Sequence, residues 1–183
     1  MAELFVIELN GTGPEGYPSD SVAEIAICRI LPDYGDFDTV YQQTVYHDPL
    51  DLGKQSLEWI YEKSGMSAEE FYYGKEISEV ASEVREIIRG NEAVCFDVRE
   101  VFGKYLLYEP WDFTFDVTLL PSVSFRIPSS EFSDGTDIND RISSVYRRMY
   151  PNDPAGIGNG RRAMHLAQMT SMILAGLHRT GLF

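Results

Sequence analysis

Cysteine is scarce in this sequence, with two residues in 183. That excludes a disulfide-stapled scaffold, and Cys28 and Cys95 sit singly inside apolar runs without metal-type spacing. Both read as small buried residues, and the chain as intracellular. Long hydrophobic runs are missing too. No stretch approaches a membrane span, and the first residues lack a basic segment followed by an apolar one. Neither a membrane partner nor secretion is expected, and the expected location is cytoplasmic. The third shortage is positive charge. Fifteen Lys and Arg face 29 Asp and Glu, a formal net charge of −14. So acidic a surface repels a phosphate backbone unless its bases are gathered. They are partly gathered: from Arg141 onward six arginines meet one acid, Asp153. The tail is therefore basic and the rest of the chain more acidic than the total suggests.

Apolar residues make up 44% of the chain and aromatic residues 13%, too many for a disordered polymer. The length fits one packed domain spanning 1–183. Residues 4–9 read as a buried strand, followed by "SVAEIAICRIL" and "TVYQQTVYHD" around a turn-rich acidic loop. Together they predict a meander of three strands. Short helical pieces follow in "SLEWIYEKSG" and "SAEEFYY". A longer helix over "EISEVASEVREIIRG" carries an apolar stripe from Ile77 to Ile88 and closes at Gly90. "EAVCF" predicts a fourth, fully buried strand. Asp97 and Glu100 then have capping-box spacing for a helix to about Leu107. "FTFDVTLL" is a fifth strand and 128–140 a polar loop. Helices are expected near "RISSVYRRMY" and from about Arg161 to the end, the latter with Ala163, Leu166, Ala167, Ile173, Leu174 and Leu177 on one stripe. There is no internal repeat. The order points to an α/β layer fold with a mixed sheet.

This order resembles the DEDD-type 3′–5′ exonucleases, and specifically the DnaQ-like branch of the ribonuclease H-like fold. "FVIELNGTG" looks like the first motif, an apolar strand, Asp-x-Glu and Thr-Gly. "VAEIAICRI" is similar to the second strand, and "EVASEVREIIRGNEAVCFD" to the helix and strand that lead into the second motif. "GRRAMHLAQMTSMILAGL" resembles the closing helix. The resemblance covers nearly the whole chain. It implies a five-stranded mixed sheet, a three-strand antiparallel meander plus parallel strands, flanked by helices. It also implies chemistry with two divalent cations, Mg or Mn, held by about four carboxylates beside a His general base.

Carried over position by position, the motifs are depleted. Glu8 stands at the first carboxylate and Asn10 at the second. Aligning strand ends puts Asp97 at the family's Asn and Val101 at its catalytic Asp; a slipped register makes Asp97 itself the ligand. Leu166 falls at the last metal ligand and Arg161 at the general base, where neither side chain can do the chemistry. No metal or other cofactor is therefore expected, and if any ion binds, Glu8 and Asp97 are its ligands. Arg161 or Arg162 is expected to pair with Glu8 and Asp97 where the metals would have been. The reading that follows is a catalytically degenerate exonuclease-fold protein that binds a protein partner. Nucleic acid could instead be held by the arginine-rich segment, through Arg147, Arg148, Arg161 and Arg162. The alternative is an active exonuclease on DNA or RNA with rearranged ligands: Glu8, Asp97 and either Asp116 or Glu100. The charge by itself also fits an acidic mimic of DNA.

Plain structural roles compete for several of these residues. Asp97 serves as a helix cap, and Asp33, Asp36 and Asp38 as a solvated loop. His47 and His178 read as ordinary surface residues, and His165 as a partly exposed polar one. Trp59, Tyr61, Phe71, Tyr72 and Tyr73 fill a core by default, although stacking on bases or a protein interface would use the same residues.

Overall fold

The computed structural model describes residues 3–31, 35–128 and 137–182. Its centre is a sheet of five strands: β1 (Leu4–Gly11), β2 (Val22–Ile30), β3 (Phe37–Thr44), β4 (Glu92–Val94) and β5 (Thr118–Leu119). They lie in the order β3-β2-β1-β4-β5. β1 and β2 pair antiparallel, as do β2 and β3, while β4 runs parallel to β1 and β5 parallel to β4. The three-strand meander and the mixed sheet are as the sequence predicts. β5 is shorter, only Thr118–Leu119 of "FTFDVTLL".

The helices cover both faces. α1 (Pro49–Ser64) is capped by Asp48, which accepts from the Leu50 N–H, and bends at Gly53. α2 (Ala68–Tyr72) is closed by a Ser67–Glu70 capping box. α3 (Ile77–Ile88), a π-helical segment Arg99–Leu106, α4 (Ile138–Met149) and α5 (Ala163–Arg179) complete the set. α1 begins several residues before the expected "SLEWIYEKSG", because Pro49 and the Asp48 cap start it early. Residues 129–136 of the expected polar loop and Asp33 of the acidic loop lie outside the described residues.

β1 is buried on both faces, and its alternation decides what each face holds. Leu4 and Val6 point into a core shared with α4 and α5, including Phe96, Leu166 and Ile173. Phe5, Ile7 and Leu9 point into a second core with Val80, Val84 and Ile88 of α3 and Phe102 of the π-helix. By the same alternation Glu8 and Asn10 project on the α4–α5 side, where the strand's other side chains are apolar. A smaller cluster of Ala23, Ile60, Met66 and Phe71 seats α1 and α2.

Candidate functional site

β4 stops at Val94 beside Val6 while its parallel neighbour β1 runs on to Gly11, and a cleft of about 290 Å³ opens along the far half of β1. Crevices at the carboxyl ends of parallel strands are where open α/β sheets bind ligands. Glu8, Asn10, Val101 and Arg141 are on its wall, with Trp59, Lys63 and Lys104. Gly11 lets the first turn close here. A Cβ on it would lie 1.9 Å from the Tyr105 hydroxyl, which donates to the Gly13 carbonyl at 2.9 Å.

Glu8 is 1% exposed. Its Oε1 accepts from the Phe96 N–H at 2.7 Å and from the Thr170 hydroxyl at 3.0 Å. Burial pushes its carboxyl up to about 8, the two hydrogen bonds pull against that, and Asp97 adds a further push. At neutral pH the side chain is mostly a neutral acid.

Asn10 is the hub of a buried polar network. Its Nδ2 donates to Glu24 Oε1 at 2.8 Å and to the Arg161 carbonyl at 2.9 Å, and its Oδ1 accepts from Asn139 Nδ2 at 2.8 Å. Both amide hydrogens and the oxygen are thus in use. Glu24, opposite Asn10 in the β1–β2 register, also accepts from the Ala163 N–H at 2.8 Å and from Arg162 Nε at 2.9 Å. Arg162 reaches on to Glu70 at 2.7 Å.

That network corrects one expectation. Neither Arg161 nor Arg162 pairs with Glu8 or Asp97: Arg162 bridges Glu24 and Glu70, and Arg161 donates to the Glu62 carbonyl. The reason is position. Both residues precede α5 and pass Asn10 and Glu24, whereas Glu8 faces Thr170, two turns into the helix. Two cations flank Asp97: Arg99 Nε is 3.8 Å from its Oδ1, and Arg141 Nη1 of α4 is 3.9 Å from its Oδ2, with the Arg141 guanidinium 6.0 Å from the centre of the Phe96 ring.

Asp97 lies three residues past β4 and accepts from the Arg99 N–H at 3.0 Å, as a helix-starting residue does. Glu100 does not complete the capping box and pairs instead with Lys104 at 2.7 Å. Val101 is 2% exposed and Leu166 1%. Leu166 belongs to the α4–α5 core, and Thr170, one turn later, presents the only hydroxyl that α5 offers to Glu8. Of the further acids, Glu100 is on the cleft wall. Asp116 is not: it precedes β5 at the opposite end of the sheet and is held by Arg85 at 2.8 Å and Arg89 at 3.4 Å.

Among the arginines of the tail, Arg147 and Arg161 line a second, polar hollow with Glu62 and Asp140, while Arg148 is exposed. His47 departs from a surface role. It is half-buried against Phe71, its Nε2 lies 2.8 Å from the Val22 carbonyl, and burial lowers its pKa. His165 is partly exposed and His178 exposed. Only Phe71 of the five aromatic residues in α1 and α2 is fully in the core. Glu24, Asn139 and Thr170 are the site residues that the sequence reading does not single out, and Arg141 enters it only as one of the tail arginines. The available signals were polar residues interrupting buried runs: Glu24 inside "VAEIAICRI", and Thr170 on the α5 stripe.

Among the described residues no group of three or more His, Cys, Asp or Glu is placed to hold a metal ion, and no helix is long and apolar enough to cross a membrane. No protein-family profile and no curated protein matches the sequence. Solved structures do match in three dimensions. Cell-death related nuclease 4 (CRN-4) superposes with a TM-score of 0.68 at 11% identity, over 99% of this chain and 65% of its own. Exonuclease I from Methylocaldum szegediense gives 0.66 at 11% identity, over 98% of this chain and 41% of its own. A 3′-exonuclease described as recognising the 3′ end of histone mRNA stem-loop gives 0.58 at 12%, over 98% and 83%. The fold is the ribonuclease H-like exonuclease fold. At these identities the likeness is one of fold, and the chain spans less than half of Exonuclease I.

Proposed function

We propose that this chain is a non-enzymatic binding module built on the exonuclease fold, with a protein as its partner. The observation that carries the reading is the donor set at the four positions where the resemblance puts metal ligands. One is a buried carboxyl whose Oε1 already accepts from the Phe96 N–H and the Thr170 hydroxyl. The next is an amide whose oxygen already accepts from Asn139. With strand ends aligned, the remaining two are the aliphatic side chains of Val101 and Leu166, both buried; in the slipped register Asp97 takes the place of Val101, with Arg99 and Arg141 beside it. Paired Mg²⁺ ions require several anionic oxygens in near-octahedral array. These residues do not fit such a pair, and Arg141 beside Asp97 opposes cation entry.

The test is an exonuclease assay on single-stranded DNA and RNA with Mn²⁺, run beside Glu8→Ala. No degradation by either protein is expected. Activity that vanishes with Glu8→Ala would favour the enzyme with rearranged ligands, for which Glu8, Asp97 and Glu100 remain near one cleft. A second reading, capture of a nucleic-acid strand without cleavage, draws on Lys63, Lys104, Arg141 and Trp59 on the same wall. Its signature is binding of a single-stranded oligonucleotide with a steep salt dependence.

A further inference from the structure

The α1–α2 side leaves large apolar side chains in solvent. Leu50 is 89% exposed and Tyr61 64%, and with Pro49 and Leu57 they line an open trough of about 740 Å³ along α1. Near the start of α1 a tyrosine cluster projects from α2. The Tyr46 and Tyr72 rings are 6.4 Å apart at 60°, and those of Tyr72 and Tyr73 are 5.3 Å apart at 87°. Tyr72 and Tyr73 are both largely exposed, so their near-perpendicular rings make an aromatic corner open to solvent. A concentration of exposed aromatic and aliphatic surface on one side marks an interaction face.

The charge around it has one sign. From Tyr46 to Glu76 seven acids stand against three lysines. All three lysines are paired within the protein, Lys54 with Glu58, Lys63 with Asp137 and Lys75 with Glu79 and Glu83, so the acids remain in excess. Burial raises the Tyr46 phenol above its ordinary pKa, and the carboxylates of Asp48, Glu76 and Asp51 raise it further. These acids therefore lie close enough to act on the cluster. A surface of this kind is complemented by an aliphatic side chain for the trough and a cation for the ring faces and carboxylates. A cation over a tyrosine ring gains about 0.5–1 kcal/mol at an exposed site. A phosphate-bearing strand is repelled.

We infer that the α1–α2 face docks a basic segment of a partner protein, with one apolar anchor in the trough beside Leu50, Leu57 and Tyr61 and a Lys or Arg against the Tyr72–Tyr73 corner. The inference rests on the binding-module reading, but Leu50, Tyr72 and Tyr73 lie off the cleft wall, so the two are tested separately.

The probe is a short fluorescein-labelled peptide with one central leucine flanked by arginines, titrated at near-physiological salt and read by polarisation. Saturable binding is expected, weakened about tenfold in the Tyr72→Ser/Tyr73→Ser double variant and again by Leu50→Ser. Exposed positions such as these leave the melting temperature nearly unchanged. Phe125→Ser, which removes an exposed ring elsewhere, should leave affinity as it was. A peptide with serine in place of the leucine should bind more weakly. No saturable binding, or equal binding by all variants, would overturn the inference. So would a labelled oligothymidylate that binds the tyrosine corner in the peptide's place. An inactive protein that ignores the peptide removes this surface alone; nuclease activity removes the binding-module reading whatever the peptide does.

Discussion

Glu8 and Asn10 are two residues apart on one strand, and both are satisfied by the protein itself. For Glu8 the consequence is a pH dependence. Its carboxyl titrates near 4.5 in water and is pushed up to about 8 in the fold. The folded state therefore holds the proton more tightly than the unfolded one. Its contribution to stability is complete below about pH 4.5 and is lost as pH rises toward 8, at up to about 1.4 kcal/mol per pH unit. Glu8→Gln keeps an acceptor for Phe96 and Thr170 and cannot ionise. Melting curves between pH 5 and 8.5 should show the wild-type chain losing stability relative to Glu8→Gln as pH rises; parallel curves would contradict the assignment. For Asn10 the prediction is opposite to a restored active site. Asn10→Asp replaces two donated hydrogen bonds by an anion facing Glu24 Oε1 and the Arg161 carbonyl. A destabilisation of about 2–4 kcal/mol is expected by denaturant unfolding, without relief by Mn²⁺. A variant rescued by Mn²⁺ would show that the cleft can still assemble a metal site.

α5 shows how an element can keep its place in the fold while its chemistry changes. Its apolar stripe is readable at helical spacing, and Ala163, Leu166, Ala167, Ile173, Leu174 and Leu177 are all buried as that spacing implies. Its start near Arg161 was readable as well, since α5 begins at Ala163, but the contacts that anchor that start were not. It is fixed by contacts from afar: Glu24 takes the Ala163 N–H, and Arg162 is clamped between Glu24 and Glu70. Breaking that clamp should matter even though Arg162 is partly exposed. Arg162→Ala leaves the buried Glu24 carboxylate without its cation and should cost about 1.5–3 kcal/mol, measured by chemical unfolding. An effect within the range of ordinary surface substitutions would reduce the clamp to a surface ion pair. Leu166→Ala tests the other end of the argument. As a core side chain it should cost about 2–5 kcal/mol, whereas a leucine merely lining an open site would cost far less.

Across the molecule the excess of acids is distributed, and two of the six arginines of the basic tail are engaged in internal ion pairs. Arg141 and Arg162 turn inward to Asp97 and to the Glu24–Glu70 pair, while the exposed Arg161 donates to the Glu62 carbonyl. A net charge of −14 then acts as self-repulsion on a compact chain. Raising NaCl toward about 1 M shortens the Debye length to about 3 Å and should stabilise the fold. The expected gain is about 1 kcal/mol, a rise in Tm of about 2–4 °C. A fall in Tm would mean that the internal ion pairs outweigh the repulsion.

The layer architecture was legible in the sequence, because strand and helix periodicities and turn residues are local properties of the chain. The sequence placed the meander, α3, β4 and α5 in order, and put Glu8 and Asn10 at the end of a buried strand. Packing in three dimensions settled that Arg141 joins Arg99 beside Asp97 and which partners Asn10, Glu24 and Thr170 take. These pairs lie between 14 and 162 positions apart in the chain, and no local spacing relates them. Close packing brings them together, and burial then makes each hydrogen bond and each ionisation depend on the neighbour that packing supplied.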